Sequence, residues 1–284
     1  MPDRYAVIGH PIAHSQSPRI HGLFAQATGQ DLTYEAIDGG GQPGGFARAL
    51  ENFRAAGGRG MNVTLPFKLE ALACADDAND TARLAGAANA LRFEAGRIQA
   101  CNFDGAGLVR DIMVNLSMPL AGADVLILGA GGAARGVILP IAQVGARRML
   151  IANRTADKAW QLATEFAPHV ATADNCCAIA GAGFDAVELA GAPFSIVINA
   201  TSASLSGAAP AIPDRALAGA RLAYDMVYGK GLTPFLRQAQ NVGAQRIADG
   251  IGMLVEQAAE AFAWWRGIRP DTGPVIEQLA KPLV

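Results

Sequence analysis

Lys68 is the chain's most awkwardly placed cation. In GMNVTLPFKLEAL (60–72) a β-branched stretch ends at Asn62-Val63-Thr64, Pro66 turns the chain, and an amphipathic helix begins near Phe67. Lys68 therefore falls in the first helical turn, where unpaired N–H groups and the macrodipole already make the field positive. A bare ammonium there loses about 0.3–1 kcal/mol, so an ordinary surface helix would carry an acid instead. Either Lys68 has a buried partner or a slightly destabilised ammonium has a use. Asp104, in QACNFDGAGLV (99–109), is an acid at a strand end in the same half of the chain. At ~4 Å and an effective dielectric of about 20, such a pair attracts by roughly 4 kcal/mol before desolvation, which exceeds the dipole penalty. A cation held there beside a carbonyl can protonate a developing alkoxide. Asp104 is equally well placed to N-cap a helix over 106–116, and spacing alone leaves both readings open.

Three other stretches carry candidate binding chemistry. In GHPIAHSQSPRIHG (9–22), Ser17-Pro18 is a good helix start, with serine as N-cap and proline at N1. That accounts for Ser17 but not Ser15, and two hydroxyls at an exposed helix N-terminus can also receive a carboxylate. VLILGAGGAARG (125–136) places Gly129-Ala130-Gly131-Gly132-Ala133-Ala134 directly after a strand and into a helix. Gly129 permits the tight turn, Gly131 lets backbone approach a pyrophosphate, and Ala134 allows close helix–strand packing. A plain turn would use the same glycines. The next strand ends in NRTADK (153–158), with no acid to grip a ribose 2′-hydroxyl. Asn153, Arg154, Thr155 and Lys158 there suit a dianionic 2′-phosphate, which favours NADP over NAD. An exposed turn leading into a helix is the alternative.

Short β-branched runs must position these groups: YAVIG (5–9), GMNVT (60–64), DVLILG (124–129), RMLIAN (148–153), SIVINA (195–200) and LAYDMV (222–227). Continuous apolar runs of this length suit parallel sheets covered on both faces. Helical patterns over 18–28, 44–56, 134–145 and 156–166 alternate with them, so the fold class is α/β with right-handed crossovers. The division falls after Asp104, giving a first domain over 1–104 and a second over 105–249. Residues 251–266 form a strong last helix, with Leu254, Ala258, Ala261, Phe262 and Trp265 on one stripe. The tail, 250–284, is expected to pack back on the first domain, which makes the interdomain cleft the expected site of small-molecule chemistry.

Composition narrows the function classes. The 284 residues are 51% hydrophobic and 17% charged, with formal net charge −2 and no basic block, which argues against nucleic acid or an anionic membrane as partner. The stretch most like a membrane span, 123–146, is broken by Arg135 and Pro140. Residues 1–10 lack a cationic region followed by a long apolar core, so no signal peptide is expected. Cys74, Cys101, Cys176 and Cys177 make no C-x-x-C pair, so a cytoplasmic location is expected. His10, His14 and His21 cluster without a nearby cysteine, and no metal site is expected.

In register along nearly the whole chain, NVTLPFK (62–68), GAANAL (86–91), NFDG (102–105), the glycine-rich turn (129–134), NRT (153–155), NATS (199–202), YDMVYGKGLTPFL (224–236) and DGIGMLVEQAAEAF (249–262) resemble the shikimate dehydrogenase family. The resemblance implies an α/β substrate domain followed by a Rossmann domain binding NADP, and reversible reduction of the ring ketone of 3-dehydroshikimate. By position it implies Lys68 and Asp104 as the catalytic pair, and Ser15, Ser17 and Tyr228 as holders of the substrate carboxylate. Asn62, Thr64, Asn89 and Gln257 would serve the ring hydroxyls or position the pair. Met226 and Gly250 would lie against the nicotinamide, with Gly129, Ala130, Gly131, Gly132 and Ala133 on the pyrophosphate. A monomer or homodimer acting on a small ring acid is implied.

Two positions depart from the family's pattern, which usually has threonine where this chain has Phe103 and Ala90; Ala203–Leu205 is also unusual. A buried hydroxyl left unpaired costs ~1–3 kcal/mol. If Phe103 faces the substrate, the chain reads as a paralogue weak on shikimate and acting on quinate or another hydroxylated ring acid. If Phe103 points into the core, the change is harmless. A ligand-binding sensor without catalysis is a third reading, against which both Lys68 and Asp104 count.

Overall fold

The computed structural model describes residues 2–172, 175–186 and 193–283, and the side chains of Thr172, Asn175 and Cys176 lie outside the described set. The chain divides into two compact units, Met1–Gly107 with Val255–Val275, and Leu108–Leu254 with Ile276–Val284.

The first unit is built on six strands: β1 Asp3–Gly9, β2 Leu32–Asp38, β3 Gly58–Val63, β4 Asp77–Ala78, β5 Ala90–Glu94 and β6 Arg97–Cys101. Their order is β2-β1-β3-β5-β6-β4. The apolar run of β1 is buried on both faces. Ala6 and Ile8 join a core with Phe46, Leu50, Phe53 and Met61, while Tyr5 stacks on Trp265 at 4.8 Å. Helices α1 (Ser17–Thr28), α2 (Gly45–Ala55), α3 (Lys68–Ala73) and α4 (Asp80–Ala85) connect the strands. β1, β2 and β3 are parallel, but β5 runs antiparallel to both β3 and β6. The sheet is therefore mixed, not parallel throughout. The cause is local: Ala95 and Gly96 both hold positive φ, 50° and 79°, which suits a two-residue hairpin turn.

The helix Ile251–Arg266 enters this unit with Ala258, Ala261 and Phe262 buried as their spacing predicts. It lies close to β3 because Gly60 has no side chain: a Cβ there would stand 2.5 Å from Trp265 Nε1. Trp265 Nε1 donates to Leu91 O at 3.0 Å.

The second unit carries α5 (Asp104–Arg110) on from the first, then a π-helical turn over Asp111–Asn115. Its sheet comprises β7 Asp124–Leu128, β8 Arg148–Asn153, β11 Ala178–Gly183, β12 Ile196–Asn199, β13 Leu222–Asp225 and β14 Ile247–Asp249; a short hairpin of β9 (Ala171–Thr172) and β10 (Asn175–Cys176) precedes β11. All six pair in parallel in the order β11-β8-β7-β12-β13-β14. Counted within the unit this is 3-2-1-4-5-6, the order of dinucleotide-binding sheets, with its switch point between β7 and β12. Helices α6 (Gly132–Gln143) and α7 (Ala156–Val170) follow the first two strands.

The tail departs from expectation. Residues 276–284 belong to the second unit rather than the first, as do 250–254. Leu283 packs on the second unit's core, and Lys281 Nζ donates to Gly229 O at 3.3 Å. Polar and apolar residues near a chain end follow whichever surface offers a partner, and periodicity does not reveal that surface. Among the described residues, no helix is long and apolar enough to cross a membrane.

Candidate active site

α3 begins at Lys68 itself and no side chain caps it, so the ammonium does sit on a positive helix end. Its partner is present. Lys68 Nζ donates to Asp104 Oδ2 at 2.6 Å, with the two side chains 27% and 14% exposed. Asp104 is not an N-cap: it is the first residue of α5, and its own N–H donates to Asn102 Oδ1 at 3.0 Å. Asn102, which the sequence reading passed over, takes the capping role and frees the carboxylate. The second oxygen, Oδ1, accepts from Asn89 Nδ2 at 2.8 Å.

Asn89 is the hub of the site and is 2% exposed. Its Nδ2 also donates to Gln257 Oε1 at 3.2 Å, and its Oδ1 accepts from Phe103 N at 2.9 Å. Its backbone carbonyl accepts from Asn62 Nδ2 at 3.2 Å. Tyr34 OH then donates to Asn62 Oδ1 at 2.7 Å. An ammonium has three donors and a carboxylate only acceptors; Asp104 uses one donor of Lys68, leaving N–H groups to meet a substrate oxygen. Thr64 stands half-buried at the end of β3, and its hydroxyl bonds no described residue.

The N-cap role that spacing predicts for Ser17 falls to neither serine. The helix starts at Ser17, with Gln16 before it and no side-chain cap of the N-cap kind. Ser15 Oγ accepts from Ser17 N at 3.3 Å, while Ser17 is buried beside the phenol of Tyr34. Under Tyr34 lies His21, stacked at 4.1 Å. Burial pushes His21 down to about 3, opposed only weakly by the nearby Asn62 amide, and among the described residues neither ring nitrogen finds a partner in hydrogen-bonding geometry. His10 instead bonds Asp38 at 2.7 Å. Among the described residues, no group of three histidine, cysteine or acidic side chains could hold a metal ion.

Phe103 and Ala90 have packing explanations. Ala90 is fully buried in β5, opposite Asn62 and Cys101. The ring of Phe103 meets Trp264 edge-on at 5.7 Å, and the Arg92 guanidinium covers the same indole at 4.8 Å.

In the second unit, Gly129 follows β7 at the switch point with φ 109°, and a Cβ there would stand 3.2 Å from Ala200 O. Gly131 and Gly132 meet nothing within 4 Å where a Cβ would be, so open space lies over the start of α6. Ala130 is half-buried, Ala133 exposed, and Ala134 buried against the sheet. Asn153 ends β8 and donates from Nδ2 to Thr155 O at 3.0 Å. Arg154, Thr155 and Lys158 are exposed, and neither cation pairs with a described residue. By contrast Arg135, in the first turn of α6, is taken up by Glu165 at 2.8 Å. Gly250 lies against Met226 so closely that a Cβ would be 2.3 Å from Met226 O. Tyr228, also in this unit, is 40% exposed.

A two-unit α/β chain with a dinucleotide-type sheet and a lysine–aspartate pair has the parts of an oxidoreductase. Family models match at three places: the shikimate dehydrogenase substrate binding domain over residues 7–91, shikimate/quinate 5-dehydrogenase over 111–205, and the shikimate 5′-dehydrogenase C-terminal domain over 250–280. The shikimate dehydrogenase (NADP(+)) of Aromatoleum aromaticum is 53% identical over 99% of this chain and 98% of its own. Among solved structures, an Ael1 enzyme from Pseudomonas putida superposes with TM-score 0.91 and 54% identity, covering 99% of this chain and all of that one (100%). Shikimate 5-dehydrogenase from Thermus thermophilus, in complex with NADP(H) and shikimate, gives 0.82 and 33%, covering 97% of each chain. The chain belongs to the shikimate dehydrogenase family.

Proposed function

We propose that the chain catalyses the reversible NADP-dependent reduction of 3-dehydroshikimate to shikimate. The observation that carries this reading is the Lys68 Nζ–Asp104 Oδ2 contact of 2.6 Å, braced by Asn89. Reduction of a ketone leaves charge on its oxygen, which a positioned ammonium stabilises and then protonates. Lys68 is that donor. Asp104 holds the ammonium in place, and in the reverse direction the neutral Lys68 amine takes the hydroxyl proton back. Asn62, Thr64, Asn89 and Gln257 receive the ring hydroxyls or position the pair, and the Ser15 and Ser17 hydroxyls, with Tyr228, receive the carboxylate.

The residues of the second unit fit NADP. Gly131 and Gly132 leave room for a pyrophosphate at the N-terminus of α6, where free N–H groups favour an anion. Gly129, Ala130 and Ala133 complete that turn. Arg154 and Lys158, which pair with no described residue, can take the 2′-phosphate, with Asn153 and Thr155 beside them. Met226 and Gly250 would face the nicotinamide. When bound, NADPH supplies the hydride; this chain's part is to hold the ring acid and manage the proton.

Purified protein incubated with shikimate and NADP, followed at the NADPH absorbance, tests the proposal, with quinate and other ring acids as comparison substrates. Robust NADPH formation with shikimate is expected. Its absence with a folded protein, or a clear preference for another ring acid, would overturn the substrate assignment.

A further inference from the structure

At the carboxyl ends of β12 and β13 a single buried carboxylate gathers four donors. Asp225 is fully buried. On Oδ2 it accepts from Ser204 Oγ at 2.6 Å and Thr233 Oγ1 at 2.7 Å. On Oδ1 it accepts from Asn199 Nδ2 at 3.1 Å and the Val227 N–H at 3.1 Å. All four donors are neutral. At the amino end of the central strand β7 the buried Asp124 is instead paired with Arg147 and Arg148. Burial pushes the Asp225 carboxyl above the ordinary carboxylate range. A core would be filled more cheaply by an apolar side chain, because an anion taken out of water is repaid only by good hydrogen bonds.

What the carboxylate holds is a set of loops on the edge where dinucleotides bind. Through Ser204 it fixes the 3₁₀ turn Ala203–Ser206 after β12. Through Val227 N it fixes the loop after β13, and through Thr233 it steadies the cap of the helix Pro234–Asn241, where Thr233 Oγ1 also accepts from Leu236 N at 3.3 Å. Asn199 carries the network further. Its Oδ1 accepts from Thr201 N at 3.1 Å and Thr201 Oγ1 at 2.7 Å, and its carbonyl accepts from Met226 N at 3.0 Å. The Thr201 methyl in turn stands 3.2 Å from where a Gly129 Cβ would lie. Met226, on which Gly250 rests, is thus tied on one side by Asn199 and followed directly by a residue tied to Asp225.

We propose that Asp225, with Ser204 and Thr233, is a positioning residue for hydride transfer, fixing the Met226–Val227 backbone so that the nicotinamide end of NADP is held in one pose. The inference rests on the reading of Met226 and Gly250 as nicotinamide neighbours, and Asp225 itself touches no ligand.

The test compares two probes on the full-length protein: NADPH, and 2′-phospho-ADP-ribose, which keeps the phosphate-binding parts but lacks the nicotinamide. Hydrogen bonds to a charged group contribute enough that Ser204→Ala or Thr233→Val should weaken NADPH binding about 5- to 10-fold while leaving 2′-phospho-ADP-ribose within about twofold. Thr233→Ser, which keeps the hydroxyl, should restore NADPH affinity. Asp225→Asn should show the largest separation between the probes; if it does not fold, the hydroxyl variants decide. Equal weakening of both probes, or no change in either, would overturn the positioning role. If wild-type protein binds the two probes equally, the nicotinamide contributes nothing at Met226. The underlying reading then fails and takes this inference with it.

Discussion

Asp104 illustrates how one side chain is claimed by two roles until its neighbours are seen. Its spacing suits an N-cap, but Asn102 supplies the cap and the carboxylate turns to Lys68 and Asn89. Replacing Lys68 removes the donor to the alkoxide but few ground-state contacts. Lys68→Ala is therefore expected to lower kcat by about 10²–10⁴ with a modest change in KM, measured by steady-state NADPH formation. Near-normal turnover would remove Lys68 from the chemistry. Arg154 is exposed and pairs with no described residue, so its charge suits a 2′-phosphate. Arg154→Ala should weaken NADP far more than NAD in parallel titrations, and equal weakening would refute that role. Phe103 already has a partner in Trp264. Phe103→Thr should cost about 1 kcal/mol of stability from the lost ring contact and leave shikimate kcat/KM within about threefold. A large gain would instead put position 103 against the ring and favour the paralogue reading.

At the scale of elements, hydrophobic periodicity located the helix Ile251–Arg266 and the six principal strands, because burial on one or two faces writes a period into the residues. It missed β2, whose burial is intermediate or low along its length, β11, whose first four residues are exposed or half-buried, the short β4 and β14, and the β5–β6 hairpin, whose Ala95-Gly96 turn lacks the usual asparagine or aspartate. The aromatic stack beneath the site gives α1 a pH response. His21 is held neutral, down to about 3 against 6.5 for an ordinary histidine. An unfolded chain gains that proton below about pH 6.5 while the folded one does not, so this contribution to stability is present above that pH and lost as pH falls toward about 3. Thermal midpoints between about pH 6.5 and 5 should decline with acid in the wild type. They should decline less in His21→Phe, which keeps a ring against Tyr34. Parallel slopes would show that other groups set the acid response.

For the whole molecule, the division into two compact units assigns the chemistry cleanly. Lys68, Asp104, Asn89 and Gln257 belong to one unit, and the glycine turn, Arg154 and Met226 to the other. The chain's last residues belong with the second unit, and their contribution there is local. Deleting residues 281–284 removes the Lys281 contact with Gly229 and the Leu283 side chain from the core. The loss should be about 1–2 kcal/mol in chemical denaturation, since Leu283 is only partly buried. An unchanged midpoint would show that the tail is not held in solution.

Some properties of this protein needed only the order of its residues. Strand runs, helix stripes, a glycine turn with its following cations, and the pairing need of Lys68 are local signals, because they arise from groups within a few residues of one another. The tertiary structure decided what local signals leave degenerate. It chose which polar residue capped and which reached out at Asn102–Asp104, and gave the N-cap role to neither Ser15 nor Ser17. It gathered Asn199, Ser204 and Thr233 around Asp225, and it sent the last turns of chain to the second unit. Those choices depend on groups from 8 to 52 residues apart in sequence, and only a folded backbone sets the distances at which such groups compete.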